Sequence, residues 1–412
     1  MQASLISKRS WLIVLFLLQL TPTFSKYYYD VVLVLFGLFI FFNNPVKFIF
    51  SQKPLIRILL LILIIMVLKY FFYSIEGSSP SVQEILGKII SDARIFYIIG
   101  LAYYFREIGK DSYSLFVALI FLVEFFNFIT NILGLFSGDL YRQILSFYFE
   151  FYSVAGYYEN FGKVTVSHVA SLNNRYSGVF LQPVTAGLVH STILFMGLIS
   201  IVKIKFDWRV VIILCMAYFN GYVSQSTVFQ MATIFLPLFL FFKIKRIDHK
   251  ASLLISMLSV FIIIFSVYSD FFVKFIEINV MGLRFSEGSN NARYFKSVNL
   301  NWAEILFGHV NTATGKGGGD SGFIIKFING GIIYMLFYYY FIAKYFKEIL
   351  YWNNMKFISK AFFNALFVFL MLVETGTTSF SLPQYSLIIF FTLLLLSNSL
   401  NNKKSDRLLT PL

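Results

Sequence analysis

The chain has 412 residues, 58% of them hydrophobic and 13% charged, about half the roughly 25% charged share of a soluble domain. That excludes a water-soluble globular protein and points to a polytopic membrane protein. The 20% aromatic share, with 52 Phe and 26 Tyr, suits lipid-facing helices and interfacial belts. The net charge of +14 comes from 34 Lys and Arg. These gather in short clusters between apolar runs, a pattern that orients a membrane protein and argues against nucleic acid as a partner. The single cysteine, Cys215, lies in an apolar run, so neither an intrachain disulfide nor a thiolate metal cluster is available.

A spanning helix needs roughly 20 mostly apolar residues. Twelve candidate spans follow along the chain: 10–24, 29–46, 55–74, 93–106, 113–136, 181–202, 208–222, 224–242, 251–269, 323–343, 359–376 and 383–399. The fourth and seventh are short, and the seventh runs into Asn220 and Gly221. Lys8 and Arg9 ahead of the first run resemble a secretory signal, but no small-x-small cleavage site follows, so an uncleaved first helix is expected. With a cytoplasmic N-terminus, every second loop is basic: Lys47/Lys53/Arg57, Arg106/Lys110, Lys203/Lys205/Arg209, Lys243/Lys245/Arg246/Lys250, Lys344/Lys347/Lys356/Lys360 and Lys403/Lys404/Arg407 all share one side. The expected fold is therefore all-α, one membrane domain over 1–412 with about 12 transmembrane helices, both termini cytoplasmic, and two long loops, about 137–180 and 270–322, facing outward.

The first outward loop is dense in aromatics, from Tyr141 through Phe147, Tyr152 and Tyr157 to Phe161, with charges between them. It reads as an amphipathic helix in the membrane interface, while its rings could also stack on sugar faces. It ends at Arg175, delivered to the outer mouth of the sixth span. An arginine there serves either as a snorkelling anchor or as a two-pronged donor to phosphate. The second outward loop carries Arg284, Arg293 and Lys296, where the positive-inside bias would deplete cations. Their convergence suggests an anionic ligand such as a lipid-linked pyrophosphate, the alternative being attraction to lipid headgroups. Gly315, Gly317, Gly318 and Gly319 match no nucleotide-loop pattern. They read as a tight connection that sets Asp320 at the start of the tenth span, as a cap or a catalytic carboxylate.

The four histidines, 168, 190, 249 and 309, show no metal-ligand spacing, and no GxSxG elbow is present. No cofactor or metal is expected. His309 shares the arginine-bearing loop and suits either acid–base chemistry or a structural hydrogen bond. Within the membrane, Glu124, Asn127 and Asn131 occupy one helical face. A carboxylate at that depth costs on the order of 3 kcal/mol, so the face must border a cavity, a polar partner or a proton path. His190, Gln225, Gln230, Lys326 and Glu374 are candidates for the same interior.

Three features together resemble the Wzy-type O-antigen polymerases, relatives of the O-antigen ligases. They are Arg175-Tyr-Ser-Gly leading into a span, Arg284 with Arg293, and the stretch ILFGHVNTATGKGGGDSGFIIKFINGGIIYMLFYY from Ile305 to Tyr339. The last is similar to the family's Phe-Gly-x-Gly, variable loop, Asp-x-Gly helix start and Gly-Ile-Ile continuation, departing where Val310 replaces the second glycine. The likeness covers 170–200 and 280–343, the remainder matching only in span pattern.

The resemblance implies a metal-independent glycosyltransferase of the Gram-negative inner membrane, acting at its periplasmic face on undecaprenyl-pyrophosphate-linked oligosaccharides. A chain-length regulator, a flippase and a ligase would be its partners. On that reading Arg175, Arg284 and Arg293 bind the pyrophosphate, and Asp320, His309 or Glu287 accepts the proton of the attacking sugar hydroxyl. Two alternatives stand beside it. An O-antigen ligase shares arginine-bearing outer loops but carries a histidine-rich motif about where Asp320 stands. A lipid-linked oligosaccharide flippase would use Glu124, His190 or Glu374 in its cavity but needs only short loops.

Overall fold

The computed structural model describes residues 2–20, 28–75, 82–105, 112–148, 170–180, 182–233, 302–308, 322–351, 357–374 and 383–408. Thirteen helices have defined bounds among them: α1 (Gln2–Leu20), α2 (Tyr28–Asn43), α3 (Pro45–Ser51), α4 (Lys53–Ile75), α5 (Val82–Phe105), α6 (Ser112–Phe136), α7 (Gly138–Tyr148), α8 (Pro183–Lys203), α9 (Trp208–Val223), α10 (Trp302–Phe307), α11 (Gly322–Tyr351), α12 (Phe357–Glu374) and α13 (Pro383–Leu408). Helical backbone also covers 227–233, and the described residues contain no strand.

Four helices are long and apolar enough to cross a membrane, through Lys53–Phe72, Ser112–Phe136, Pro183–Val202 and Gly322–Glu348. Tyr28–Asn43, Trp208–Val223 and Tyr385–Leu400 are apolar but shorter. The described residues are thus all-α, and their long apolar helices are those of a membrane-embedded protein. The expected ninth span, the eighth from 234 on, and 270–301 and 309–321 of the second outward loop lie outside the described residues, as do 149–169 of the first loop.

Local chemistry explains where helices start and stop. The run expected at 29–46 breaks at Asn44, whose side chain accepts the Lys47 amide at 3.1 Å, and Pro45 opens α3 where a missing N–H costs nothing. Pro183 opens α8 in the same way, after an extended Gln182. Asp207 caps α9 by accepting the Arg209 amide at 3.0 Å. The helix at the expected fourth span is longer than the apolar run 93–106, because α5 begins at Val82 and takes Asp92 into the bundle.

Burial sorts the helices into centre and rim. Every residue from 185 to 201 in α8 and from 385 to 399 in α13 is buried. With lipid as solvent, a helix apolar on all sides is fixed by close packing rather than by water exclusion. Gly197 lets α9 approach α8, since a Cβ there would lie 2.6 Å from Leu214. By contrast α4 carries Ile56, Leu60, Leu63, Ile64 and Val67 outward along one face, the surface expected toward acyl chains.

Helix α11 is broken. Gly331 has φ +74°, and α10 packs its backbone into the break: a Cβ on Gly331 would lie 2.1 Å from the Leu306 carbonyl oxygen, and one on Gly308 (φ +84°) 2.6 Å from the Gly330 nitrogen. The similarity stretch from Ile305 to Tyr339 therefore folds in part as one unit, with Leu306-Phe307-Gly308 seated on Asn329-Gly330-Gly331.

Candidate functional site

Among the described residues, two polar clusters lie inside the helical bundle. The first begins midway along α6. Glu124, fully buried, meets His190 Nδ1 of α8 at 2.9 to 3.0 Å. Oε2 of the same carboxylate, 2.9 Å from that ring nitrogen, also accepts from Asn220 Nδ2 of α9 at 2.8 Å, and Asn220 Oδ1 accepts from Asn131 Nδ2 at 3.0 Å. Asn131 Oδ1 then accepts the Gly178 amide at 2.7 Å, and Asn127 Oδ1 the Val179 amide at 2.9 Å. Asn220 of α9 and Asn131 of α6 thus link the His190–Glu124 pair to the backbone that follows Arg175, and Asn127, on the same face of α6, holds the next amide.

That segment is pinned from every side. Gly178 sits at φ +60°, and a Cβ there would fall 1.9 Å from Asn127 Oδ1. The Tyr141 hydroxyl of α7 accepts the Ser177 amide at 2.8 Å and donates to the Gly178 carbonyl at 3.3 Å. Tyr176 donates its amide to the Val223 carbonyl at 3.1 Å, and Arg175 its amide to Ala170 at 3.1 Å. Helix α7 is amphipathic as expected, but its apolar side is partly spent on this segment: Tyr141 and Leu145 are buried, while Leu140 and Phe147 are exposed.

The Arg175 side chain is half-buried at this mouth. One terminal nitrogen reaches the Gln225 carbonyl at 3.4 Å, and its buried Nε has no hydrogen-bond partner among the described residues. Burial pulls the guanidinium below its ordinary pKa without discharging it at neutral pH. The arrangement presents a fixed cation with donor capacity in reserve, suited to a planar, multiply charged oxyanion. In the same cluster His190 Nε2 is buried and also without a partner among the described residues.

The second cluster surrounds the break in α11. Lys69 of α4 donates to the Asn329 carbonyl at 2.6 Å, a cation at the C-terminal end of the half-helix that stops at Gly331. Asp92 of α5 pairs with Lys326 and accepts from the Tyr334 hydroxyl, all three buried. Tyr339 donates to Glu374 at 2.9 Å, and Gly322 admits that carboxylate, since a Cβ there would lie 2.1 Å from its Oε1.

The expected single polar interior is therefore divided. His190 joins Glu124, whereas Lys326 and Glu374 belong to the second cluster and Gln225 is exposed in the turn beside Arg175. Asp92 and Lys69 do not stand out in the sequence, and Asn220 does so only where the seventh span turns polar; their partners stand 89 to 260 residues away. Of the residues assigned to chemistry, Arg175 is described. Arg284, Arg293, Glu287, His309 and Asp320 lie outside the described residues. Among the described residues no group of three His, Cys, Asp or Glu could hold a metal ion.

No protein-family model, characterised protein or solved structure matches the chain.

Proposed function

We propose that the chain is an O-antigen polymerase of the Wzy type, a metal-independent glycosyltransferase of the inner membrane working at the periplasmic face. The observation that carries the reading is Arg175: a cation with an unpartnered Nε, on a segment fixed by Asn127, Asn131 and Tyr141, within the motif that resembles the family. Fixed donors aimed at developing charge are the electrostatic route to a lower barrier.

In this reading Arg175, Arg284 and Arg293 hold the pyrophosphate of an undecaprenyl-linked donor glycan. The bond from the donor's anomeric carbon to the pyrophosphate oxygen breaks, and a bond to an acceptor sugar hydroxyl forms. Undecaprenyl pyrophosphate departs with the electron pair, and the hydroxyl proton passes to Asp320, His309 or Glu287. The acceptor is a second lipid-linked repeat unit. A flippase would supply the units, a chain-length regulator would govern their number, and a ligase would take the product.

A second reading, a lipid-linked oligosaccharide flippase, is favoured by the break at Gly331 with Lys69 on the freed Asn329 carbonyl, since transporters build binding sites from discontinuous helices. One experiment separates the two. The gene is deleted in its host, and the surface polysaccharide is resolved on a gel after complementation with wild type, Arg175→Lys or Arg175→Ala. A polymerase leaves a single repeat unit on lipid A core and loses the ladder, and both substitutions fail to restore it, Lys because two-pronged donation is lost. Loss of even the single unit refutes a dedicated polymerase and selects the flippase or the ligase. A normal ladder with Arg175→Ala removes Arg175 from the site.

A further inference from the structure

At the end of the bundle away from Gly331 lies a cavity of about 610 Å³ between α3, the start of α4, the end of α5 and the last third of α11. Four cations line it, Lys47, Lys53, Arg57 and Lys344, against one carboxylate, Glu348. That carboxylate is held aside by the Tyr103 hydroxyl, which donates to it at 2.6 Å, and Arg57 is steered by the Tyr345 hydroxyl at 3.3 Å. Among the described lining residues, cations thus outnumber carboxylates four to one. By the alternation of basic loops this end faces the cytoplasm, where anionic lipid headgroups give the membrane surface its negative potential.

What lies beyond the cavity narrows the ligand. Lys53 and Arg57 are exposed and one helical turn apart, and the same face of α4 continues through Leu60, Ile64 and Val67, all exposed. A row of cations leading into an apolar stripe along a lipid-facing helix matches an amphiphile, with its phosphate at the cavity and its acyl chains on the stripe. A soluble phosphate would use the first part and leave the second without a role.

We propose that this cavity is a binding site for the headgroup of an anionic glycerophospholipid, with the acyl chains laid along the outer face of α4. The site is independent of the polymerase reading and sits at the opposite end of the bundle from Arg175. It ties α3, α4, α5 and α11 together where their sequence supplies mostly repelling cations.

The test uses the full chain. Native mass spectrometry from detergent compares retention of cardiolipin, phosphatidylglycerol and phosphatidylcholine by wild type and by the triple variant Lys53→Gln, Arg57→Gln, Lys344→Gln. Wild type retains the two anionic lipids over phosphatidylcholine. With each basic side chain near the surface worth roughly a fivefold preference, the triple variant loses about a hundredfold of that retention. The double variant Lys53→Arg, Lys344→Arg keeps it. Equal retention by wild type and the triple variant overturns the proposal. So does displacement of cardiolipin by inorganic phosphate at equal concentration, which would identify a soluble anion as the ligand. Because the triple variant could fail to fold, wild type is also photolabelled with phosphatidylglycerol carrying a diazirine in its acyl chain. Labelling concentrated at 56–67 supports the site, and labelling spread evenly over the lipid-facing helices refutes it.

Discussion

Replacing Asn131 with alanine cuts the hydrogen-bonded chain at its middle. Two bonds go at once: the Gly178 amide loses Oδ1 at 2.7 Å, and Asn220 Oδ1 loses the donor at 3.0 Å. Both abandoned groups are buried. A buried group left unsatisfied costs about 1 to 3 kcal/mol, while side-chain bonds between membrane helices average about 0.6 kcal/mol because the unfolded chain finds substitutes. The expected loss is about 1 to 4 kcal/mol, concentrated on 175–180, since Asn127 still holds Val179. Hydrogen exchange of peptides spanning 175–180 in nanodiscs reads it directly. Each 1.4 kcal/mol lost from local opening raises exchange about tenfold, and trypsin cleavage after Arg175 rises in parallel. Asn43→Ala, which removes an exposed bond to the Phe39 carbonyl, serves as control and leaves 175–180 protected. Unchanged protection at 175–180 in Asn131→Ala, or loosening spread equally over all helices, refutes a network that holds the Arg175 segment.

Other substitutions probe the remaining joints. Gly331→Ala combines φ +74° with a Cβ 2.1 Å from the Leu306 carbonyl, so it should destabilise the fold by about 2 kcal/mol or more in equilibrium unfolding and release the α10 segment to proteolysis. Lys326→Met leaves the Asp92 carboxylate buried without its cation, a loss of about 3 to 5 kcal/mol, whereas the double variant Asp92→Asn, Lys326→Met recovers most of it. Failure of the double variant to recover would mean that the pair's value lies in its hydrogen bonds, the Tyr334 hydroxyl included. Asp207 is held below the usual carboxylate range chiefly by its hydrogen bond from Arg209. Its contribution is therefore present above the ordinary carboxylate pKa and is lost as pH falls through the lower folded value. Asp207→Ala should lower thermal stability at neutral pH by about 1 kcal/mol, with the difference from wild type shrinking in acid.

How much of this was legible in sequence differs by element. Apolar runs marked the four helices long enough to cross a membrane and three shorter apolar ones, because length and composition alone distinguish such helices. The polar face of α6 was also legible, since Glu124, Asn127 and Asn131 repeat at helical spacing within an otherwise apolar run. The break at Gly331 was not. The apolar pattern continues through it, and the glycines at 315–319 read as the tight connection into the span, whereas the paired Gly330-Gly331 sit inside what reads as a continuous apolar run. Asp92 was hidden because it precedes its apolar run and is neutralised by Lys326, a partner 234 residues away. Lys326 and Glu374 were recognised as intramembrane polar groups, but assigning them to a cluster required the fold. Arg175 was legible as a single arginine ahead of the sixth apolar run. That its segment is fixed by three side chains from α6 and α7 follows only from the packing.

The most direct test of the proposed function is reconstitution. Repeat units on undecaprenyl pyrophosphate, extracted from the host's own deletion strain, are incubated with the purified protein in proteoliposomes. The account predicts a ladder of products, with one undecaprenyl pyrophosphate released per linkage, and no ladder from Arg175→Ala folded to the same stability. A folded protein that carries the units across the bilayer without joining them would contradict it.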